Sequence, residues 1–232
     1  MQVFAAAIAL MGIVVVAWSA TDYRKWLALG PGGIPHNFAG WIKVTALRLQ
    51  KREPLGTAVY AKYAADSDNV AILTSIMNRV GERPKIAPYP IPHRQLTEHG
   101  GIDQRLLLKE LFDSYIESHS TQVVYQKSFF ERRHDAIFLR DPDRGHSHAR
   151  GTHGEIAHLH PGDGSMHMIF SPRDAKTIIE AGWGERHPLA GRYPGMPDTY
   201  LMIYSPRNTD DLAAIKALLK AAVNHMRAAQ SE

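Results

Sequence analysis

Residues 155–170 read EIAHLHPGDGSMHMIF, two strand-like runs joined by the turn signal Pro161-Gly162-Asp163-Gly164. A four-residue turn predicts that His160 pairs with Ser165 and His158 with His167. Because side chains alternate along a strand, one face of this hairpin should carry Ile156, His158, His160, Ser165, His167 and Ile169. The other face is apolar and should lie against the core, with Ala157, Leu159, Met166, Met168 and Phe170.

Three imidazoles on one patch suit either a metal ion or proton transfer. A third interpretation is a solvated sheet face on which histidine happens to be common. The alternation places Asp163 on the turn and Glu155 on the opposite face, so neither completes a metal site. We therefore favour metal-free acid–base or substrate-binding work for His158, His160 and His167, with a divalent metal at the same three residues as the less favoured alternative.

The rest of the chain predicts helices first, then strands and helices mixed. Helices are expected over 37–50, 68–80, 103–118, 171–182 and 208–226, and further strands over 121–126, 134–140 and 199–205. Residues 81–92 carry four prolines and should be extended. Residues 141–153 are polar and rich in Gly and His, which predicts a mobile loop. This order predicts a single α+β domain over residues 23–232, a small antiparallel sheet flanked by helices.

The N-terminus has the pattern of a membrane anchor, assigned to residues 1–22. Eighteen residues from Val3 to Ala20 carry no charge, enough for about one crossing of a thin bilayer. Trp18 lies at its end, and Arg24 and Lys25 favour a cytosolic C-terminal side. The sequence thus predicts a single-pass transmembrane helix with the domain in the cytosol, on the endoplasmic reticulum or another internal membrane. A cleaved signal peptide and a buried core helix are the alternatives.

The composition excludes several classes of protein. The chain has 232 residues, of which 44% are hydrophobic and 22% charged, as in globular domains. Its net charge of +4, with no basic run interleaved with aromatics, gives no support to nucleic-acid binding. Cysteine is absent, which rules out disulfides, thiolate nucleophiles and Cys-ligated metals. Histidine is abundant instead, with 13 residues.

A second segment with a high density of reactive side chains is GWGERHPLAG, residues 182–191. Arg186 and His187 place a cation and an imidazole together, a pair suited to an anionic enol or carboxylate. Trp183 is either a packing residue or a platform for substrate. Tyr204 and Arg207, at the end of the following strand, are expected to approach the same site.

At these segments the chain resembles the fungal luciferase family. The resemblance is carried by residues 155–160, by Met166-His167-Met168, by the segment 182–191 and by Tyr204-Ser205-Pro206-Arg207-Asn208. It continues upstream through residues 136–139 and into Asp22-Tyr23 and Leu29-Gly30-Pro31. It therefore covers nearly the whole chain, including the segment that follows the anchor.

The resemblance implies an oxygenase that adds O2 to 3-hydroxyhispidin, a hydroxylated styryl-pyrone. In that family this addition forms a cyclic peroxide, which loses CO2 and leaves an excited product. The resemblance implies no cofactor beyond O2. The expected catalytic residues are His158, His160, His167, Arg186 and His187. The expected substrate contacts are Glu155, Trp183, Glu185, Tyr204 and Arg207. The alternative is a non-luminous homologue that oxidises, hydrolyses or merely binds another enol, pyrone or phenolic ligand.

Overall fold

The computed structural model describes residues 1–63 and 67–228. The helices in this part of the chain are α1 Gln2–Leu27, α2 Phe38–Leu47, α3 Ser67–Thr74, α4 Ile102–Ser118, α5 Ser147–Gly151, α6 Pro172–Glu180 and α7 Thr209–Arg227. The strands are β1 Val123–Lys127, β2 Asp135–Leu139, β3 Glu155–Leu159, β4 Met166–Ile169, β5 Gly184–Arg186 and β6 Tyr200–Ile203. The predicted α+β class is confirmed.

All six strands form one antiparallel sheet in the order β1-β2-β3-β4-β6-β5. The central hairpin has the predicted register, with His158 opposite His167. The backbone N–H of His160 donates to the carbonyl of Ser165 at 2.8 Å, which closes the turn as expected. The hairpin prediction is therefore confirmed in both turn and pairing.

One residue breaks the expected alternation in β3. Ala136 of β2 pairs with His158, but Phe138 pairs with Glu155, so the register shifts by one at Ile156. This β-bulge moves Ile156 into the core and turns Glu155 onto the face that carries the histidines. The predicted orientations of Ile156 and Glu155 were wrong, because a two-residue period holds only until a bulge interrupts it.

The apolar face of the sheet packs against α7. Met166, Met168 and Leu201 are fully buried there, and so are Ile215 and Leu219 from the helix. Asn208 caps α7 by accepting the backbone N–H of Asp211 at 2.8 Å. With this face on the helix, the histidine face is left to be covered by loops.

Three predicted boundaries were wrong. Residues 141–153, predicted as a loop, contain a 3₁₀ turn and α5. The short strand β5 was not expected, since Gly184-Glu185-Arg186 lacks an apolar alternation and is specified by its pairing with β6. Helix α3 ends at Thr74, six residues before its predicted end, and beyond it the backbone N–H of Arg79 donates to the carbonyl of Ala181 instead of to the helix.

The long helix α1 is joined to the domain at one end only. It is long and apolar enough to span a membrane, and residues 1–18 are exposed along its length. Trp26 is fully buried in a second, small core with Trp41 and Tyr89. Asp22 accepts Nε1 of Trp41 at 2.8 Å and the hydroxyl of Tyr89 at 3.0 Å. The last two turns of α1 thus belong structurally to the folded domain.

Deleting Met1–Ala20 should leave the domain folded and released from membranes, because residues 1–18 are exposed and the buried Trp26 is retained. Deleting Met1–Leu27 should unfold the small core, since losing Trp26 alone is worth roughly 3–5 kcal/mol. Thermal melts of both truncations against the full chain in detergent measure the difference. Complete aggregation of the shorter deletion would contradict this division.

Candidate active site

Three imidazoles meet on one face of the β3–β4 hairpin. The ring centroids of His158, His160 and His167 lie between 5.0 and 5.3 Å apart. Each side chain is at most 3% exposed. The interpretation of this patch as a solvated sheet face is therefore wrong, because water does not reach the three rings.

Strands β5 and β6 extend the cluster across the sheet. His187 follows β5, and its ring lies 5.3 Å from that of His167. Tyr200 of β6 stacks on His167 at 4.8 Å with an interplanar angle of 12°. Glu185 pairs with Met202 and therefore shares the histidine face, whereas Arg186 pairs with Leu201 and points to the opposite side. The pairing of β5 thus separates Arg186 from the cluster.

The proline-rich segment covers this face and adds a fifth histidine. His93 lies between two rings of the cluster, 5.4 Å from His167 and 4.9 Å from His187. Its Nε2 is 3.5 Å from Oε1 of Glu185. Residues 82–85 are extended, but Ile86 pairs with Gln95 in an antiparallel bridge, so the prediction of an extended segment over 81–92 was wrong in its second half. The chain turns back through its prolines there, and this strap delivers His93 and Arg94 to the site.

The hydrogen-bond network assigns one tautomer to all three hairpin histidines. Nδ1 of His158 contacts Glu155 at 2.6 Å, and Nδ1 of His167 donates to the carbonyl of Leu201 at 3.1 Å. Nδ1 of His160 donates to the hydroxyl of Ser165, which in turn donates to Asp163. With Nδ1 used as the donor in each ring, the lone pair of each neutral imidazole is on Nε2.

Glu155 is the most heavily hydrogen-bonded carboxylate of the site. Besides His158 it accepts the hydroxyl of Ser128 and the backbone N–H groups of Phe129 and Phe130. Only 1% of Glu155 is exposed. Charge-assisted bonds from so many donors stabilise an ionised carboxylate in a buried position, and this carboxylate then fixes the orientation of the His158 ring.

Two ion pairs border the pocket. Arg94 pairs with Glu131, whose Oε1 is 3.8 Å from Nε2 of His160. Arg83 pairs with Glu185 on the far side of His93. The guanidinium of Arg94 is therefore the positive charge that the structure brings to the histidine pocket.

Burial sets the protonation of the cluster. Desolvation, followed by the neighbouring charges, lowers the pKa of His160, His167 and His187 well below the usual value. Burial also raises the pKa of Tyr200 well above its usual value. Burial would raise the pKa of Glu185, but the contacts with His93 and Arg83 outweigh it and lower the pKa. At neutral pH His160, His167 and His187 are thus neutral imidazoles, Tyr200 is a neutral phenol and Glu185 is an ionised carboxylate.

The pocket encloses about 50 Å³ of free space, against roughly 300–1,000 Å³ for typical small-molecule sites. All five histidines named above line it, and the other lining residues include Gly33, Pro90, Phe130, Tyr193 and Met196. An aromatic ligand with enol or phenol oxygens would therefore enter only if the loops that cover the histidine face move outward.

The hairpin triad has the donor set of a metal site. Ring nitrogens of His158, His160 and His167 lie within 4.8 Å of one another, and so do those of His93, His167 and His187. The first set fits an ion better, because each Nδ1–H is held by an acceptor and each Nε2 is left for the metal. In the second set, Nδ1 of His187 already accepts the backbone N–H of Leu189 at 3.1 Å.

The structure brings together some of the expected residues and places others elsewhere. His158, His160, His167 and His187 share the pocket, with Glu155 bonded to His158 and Glu185 beside His93. Tyr204 donates to Glu185 at 2.8 Å and so borders the site indirectly. Three residues expected there do not reach the pocket: Trp183, Arg186 and Arg207.

Each of these three has another set of contacts. Arg186 is buried and donates to the hydroxyl of Tyr60 and the carbonyls of residues 53 and 56. Trp183 donates to the carbonyl of Met77, and Arg207 bonds Asp211 and the carbonyl of Val80. None of the three lines the pocket.

The sequence reasoning missed His93, Arg94, Glu131 and Tyr200. For Tyr200 the signal was strand alternation. Met202 pairs with His167, and Tyr200 lies two residues before Met202, so both side chains share the histidine face. For His93 and Arg94 the only signal was an imidazole and a cation directly after the proline-rich segment. No local pattern indicates that this segment crosses the histidine face.

The fold and the pocket define an α+β domain with a buried cluster of histidines on one sheet face. Comparison with known proteins makes this specific. A family model described as luciferase domain matches residues 153–222. A luciferase of Neonothopanus nambi is 34% identical over 219 residues, covering 88% of this chain and 80% of that protein. A luciferase of Armillaria mellea is 32% identical over 234 positions, covering 95% and 86%.

The chain therefore belongs to the luciferase family of these fungi. No solved structure shows a significant match to the chain.

The lowered histidine pKa values predict that the protein loses stability in mild acid. An unfolded histidine binds a proton below about pH 6.5, whereas the folded rings resist it, so the free energy of unfolding falls as pH drops through that value. Replacing His160 with Gln should flatten this dependence by up to about 1.4 kcal/mol per pH unit. Denaturant unfolding over a pH series measures it.

His134→Gln, at an exposed histidine, is the matched control and should keep the wild-type slope. An identical slope in His160→Gln and wild type would show that the ring is not kept neutral by burial.

Proposed function

We propose that the protein is an oxygenase of the fungal luciferase type, which adds O2 to a hydroxylated styryl-pyrone of the 3-hydroxyhispidin class and emits light. Support comes from membership of the family, from the resemblance in the histidine segments and from the chemistry of the pocket. The observation that carries the proposal is the buried contact of Glu155 with His158 at 2.6 Å, with His158 lining the pocket.

His158 is the proposed general base. Its Nδ1 is fixed by Glu155, so Nε2 is the nitrogen that takes the proton from the enolic 3-hydroxyl of the substrate. The Glu155 carboxylate then stabilises the imidazolium that forms. His160 and His167, neutral and adjacent, complete a site in which a proton moves without leaving the pocket.

Arg94 is the proposed partner of the substrate anion. Deprotonation leaves an electron-rich enolate, and a guanidinium at the pocket wall stabilises negative charge on its oxygens. The Arg94–Glu131 pair keeps this cation in position before substrate arrives. Arg186, expected in this role from the sequence, is held by Tyr60 and two loop carbonyls instead.

The reaction balances without a further oxidant. The carbanionic carbon of the enolate forms a bond to O2, and the resulting peroxide closes on the lactone carbonyl. Loss of CO2 breaks the O–O bond and one C–C bond and leaves a caffeylpyruvate-type product. Both oxygen atoms of O2 are reduced, one ending in CO2 and one in the product, so neither flavin nor nicotinamide is needed. The buried apolar walls exclude water that would quench emission.

The proposed setting is an internal membrane such as the endoplasmic reticulum, with α1 as a single crossing and the domain in the cytosol. Arg24 and Lys25, directly after the apolar helix, support this orientation. The proposed small-molecule partners of the protein are the pyrone and O2.

The direct test mixes purified protein with 3-hydroxyhispidin in air, with photon counting and substrate absorbance followed together. We expect light and substrate loss, and Glu155→Gln, which removes the carboxylate that orients His158, should lower the rate by up to about 10²–10⁴-fold, the usual contribution of the general base that it positions. Glu110→Gln, at an exposed glutamate of α4, is the matched control. Darkness with unchanged absorbance would remove the proposal. Darkness with substrate loss would favour a non-luminous oxygenase or hydrolase, and saturable binding without product a binding module.

A second candidate is the same reaction assisted by a divalent metal. It is favoured by the Nε2 lone pairs of His158, His160 and His167. In each ring the other nitrogen, Nδ1, donates its hydrogen to an acceptor, which leaves Nε2 for the metal. Nδ1 of His93 is also buried with no hydrogen-bond partner among the described residues. A metal bound by His158, His160 and His167 would supply Lewis acidity. Glu155, Ser165 and the Leu201 carbonyl would orient these three ligands.

Chelation separates the two versions. The acid–base version predicts unchanged turnover after dialysis against a strong chelator, because no step depends on an ion. It also predicts that His167→Gln lowers turnover without changing metal content. Activity that disappears on chelation and returns with one equivalent of a divalent ion would establish the metal version.

A further inference from the structure

A second group of three histidines lies outside the pocket just described. His146 precedes α5, His148 lies in its first turn, and His225 is in the last turn of α7. Ring nitrogens of the three lie within 4.8 Å of one another, and the ring centroids are 4.3 to 5.2 Å apart. None of the three lines the histidine pocket.

We propose that His146, His148 and His225 form a structural site for a divalent transition-metal ion of the zinc type. Imidazole nitrogens without carboxylates or thiolates favour such ions over magnesium or calcium, which prefer oxygen ligands. His225 is buried, whereas His146 and His148 are half-buried. An ion held by three rings thus keeps one side toward solvent, where water completes a tetrahedral set.

The closest pair already has the spacing of two metal ligands. Nδ1 of His148 lies 3.1 Å from Nε2 of His225. With Zn–N bonds of about 2.0–2.1 Å, two ligands of a tetrahedral ion are about 3.3 Å apart. Binding requires the hydrogen shared between these nitrogens to move to the other nitrogen of its ring. This is a change of tautomer with no net release of protons.

The third ligand gives up a capping bond when it binds the ion. Nδ1 of His146 accepts the backbone N–H of His148 at 3.1 Å, at the start of α5. Coordination by either nitrogen of His146 competes with this cap, which is weak beside metal–imidazole ligation. Burial lowers the pKa of His148 to about 4 and that of His225 to about 2, so both rings are neutral at neutral pH, the form that binds metals.

The ion would link two distant parts of the chain. The segment before β3 already touches the end of α7, since the backbone N–H of His146 donates to the carbonyl of Met226 at 3.1 Å. From α5 the chain passes through Thr152, whose hydroxyl donates to the carbonyl of Glu155 at 3.0 Å. A metal at the triad would therefore clamp α7 to the start of the strand that carries Glu155 and His158.

The test uses the full chain in detergent, purified without a polyhistidine tag and stripped with a chelator. Zn²⁺ is added for thermal melts, and Co²⁺ for visible absorption and equivalents bound. We expect Zn²⁺ to raise the melting temperature by several degrees in wild type and in His134→Gln, the exposed-histidine control. His146→Gln and His148→Gln should lose most of this rise and one equivalent of Co²⁺.

The design separates this site from the pocket. His158→Gln alters the pocket triad and should keep the stabilisation by Zn²⁺, whereas His146→Gln leaves the pocket residues unchanged. Melts of the metal-free variants show that each is folded before metal is added. Equal metal uptake by His146→Gln and His134→Gln, or no uptake by wild type, would overturn the proposal. Neither result depends on light emission.

Discussion

A buried carboxylate on a sheet face must be matched by donors, and Glu155 meets this requirement with a serine hydroxyl, two backbone amides and an imidazole. The amides come from the loop that follows β1, so the same bonds hold that loop over the pocket. The imidazole is His158, whose orientation places its second nitrogen toward the cavity. The covering loop, the ring geometry and the tautomer are therefore coupled through one side chain, and an uncompensated loss would leave several buried polar groups unpaired.

The surrounding imidazoles impose an electrostatic constraint of their own. Five histidines packed at ring separations near 5 Å cannot all be charged, and burial keeps several of them neutral. A cluster of this kind accepts a second proton with more difficulty than a first, because the first charge lowers the pKa of its neighbours. This suits a reaction that removes a single proton from its substrate. It equally suits an ion that carries the charge in place of the proton.

The sequence predicted what depends on local pattern. The hairpin register followed from a four-residue turn, and α7 followed from Asn208 and its apolar stripe. The convergence of His158, His160 and His167 followed from the register. Contacts made over long separations were out of reach: the strap that brings His93, the pairing that turns Arg186 away, and the loop that meets Glu155. These depend on tertiary packing, for which the residues themselves carry no periodic signal.

The bulge at Ile156 has a consequence for how such sites arise and disappear. If Ile156 were kept but paired regularly with Phe138, the carboxylate would return to the helix-packed side while every histidine stayed in place. If Ile156 were deleted instead, Glu155 would remain opposite Phe138 and on the histidine face without any bulge. A carboxylate two residues before the first histidine therefore reaches such a site in a regular strand, whereas one placed three residues before it does so only through a bulge. Among relatives, this spacing is accordingly as informative about chemistry as the identity of the histidines.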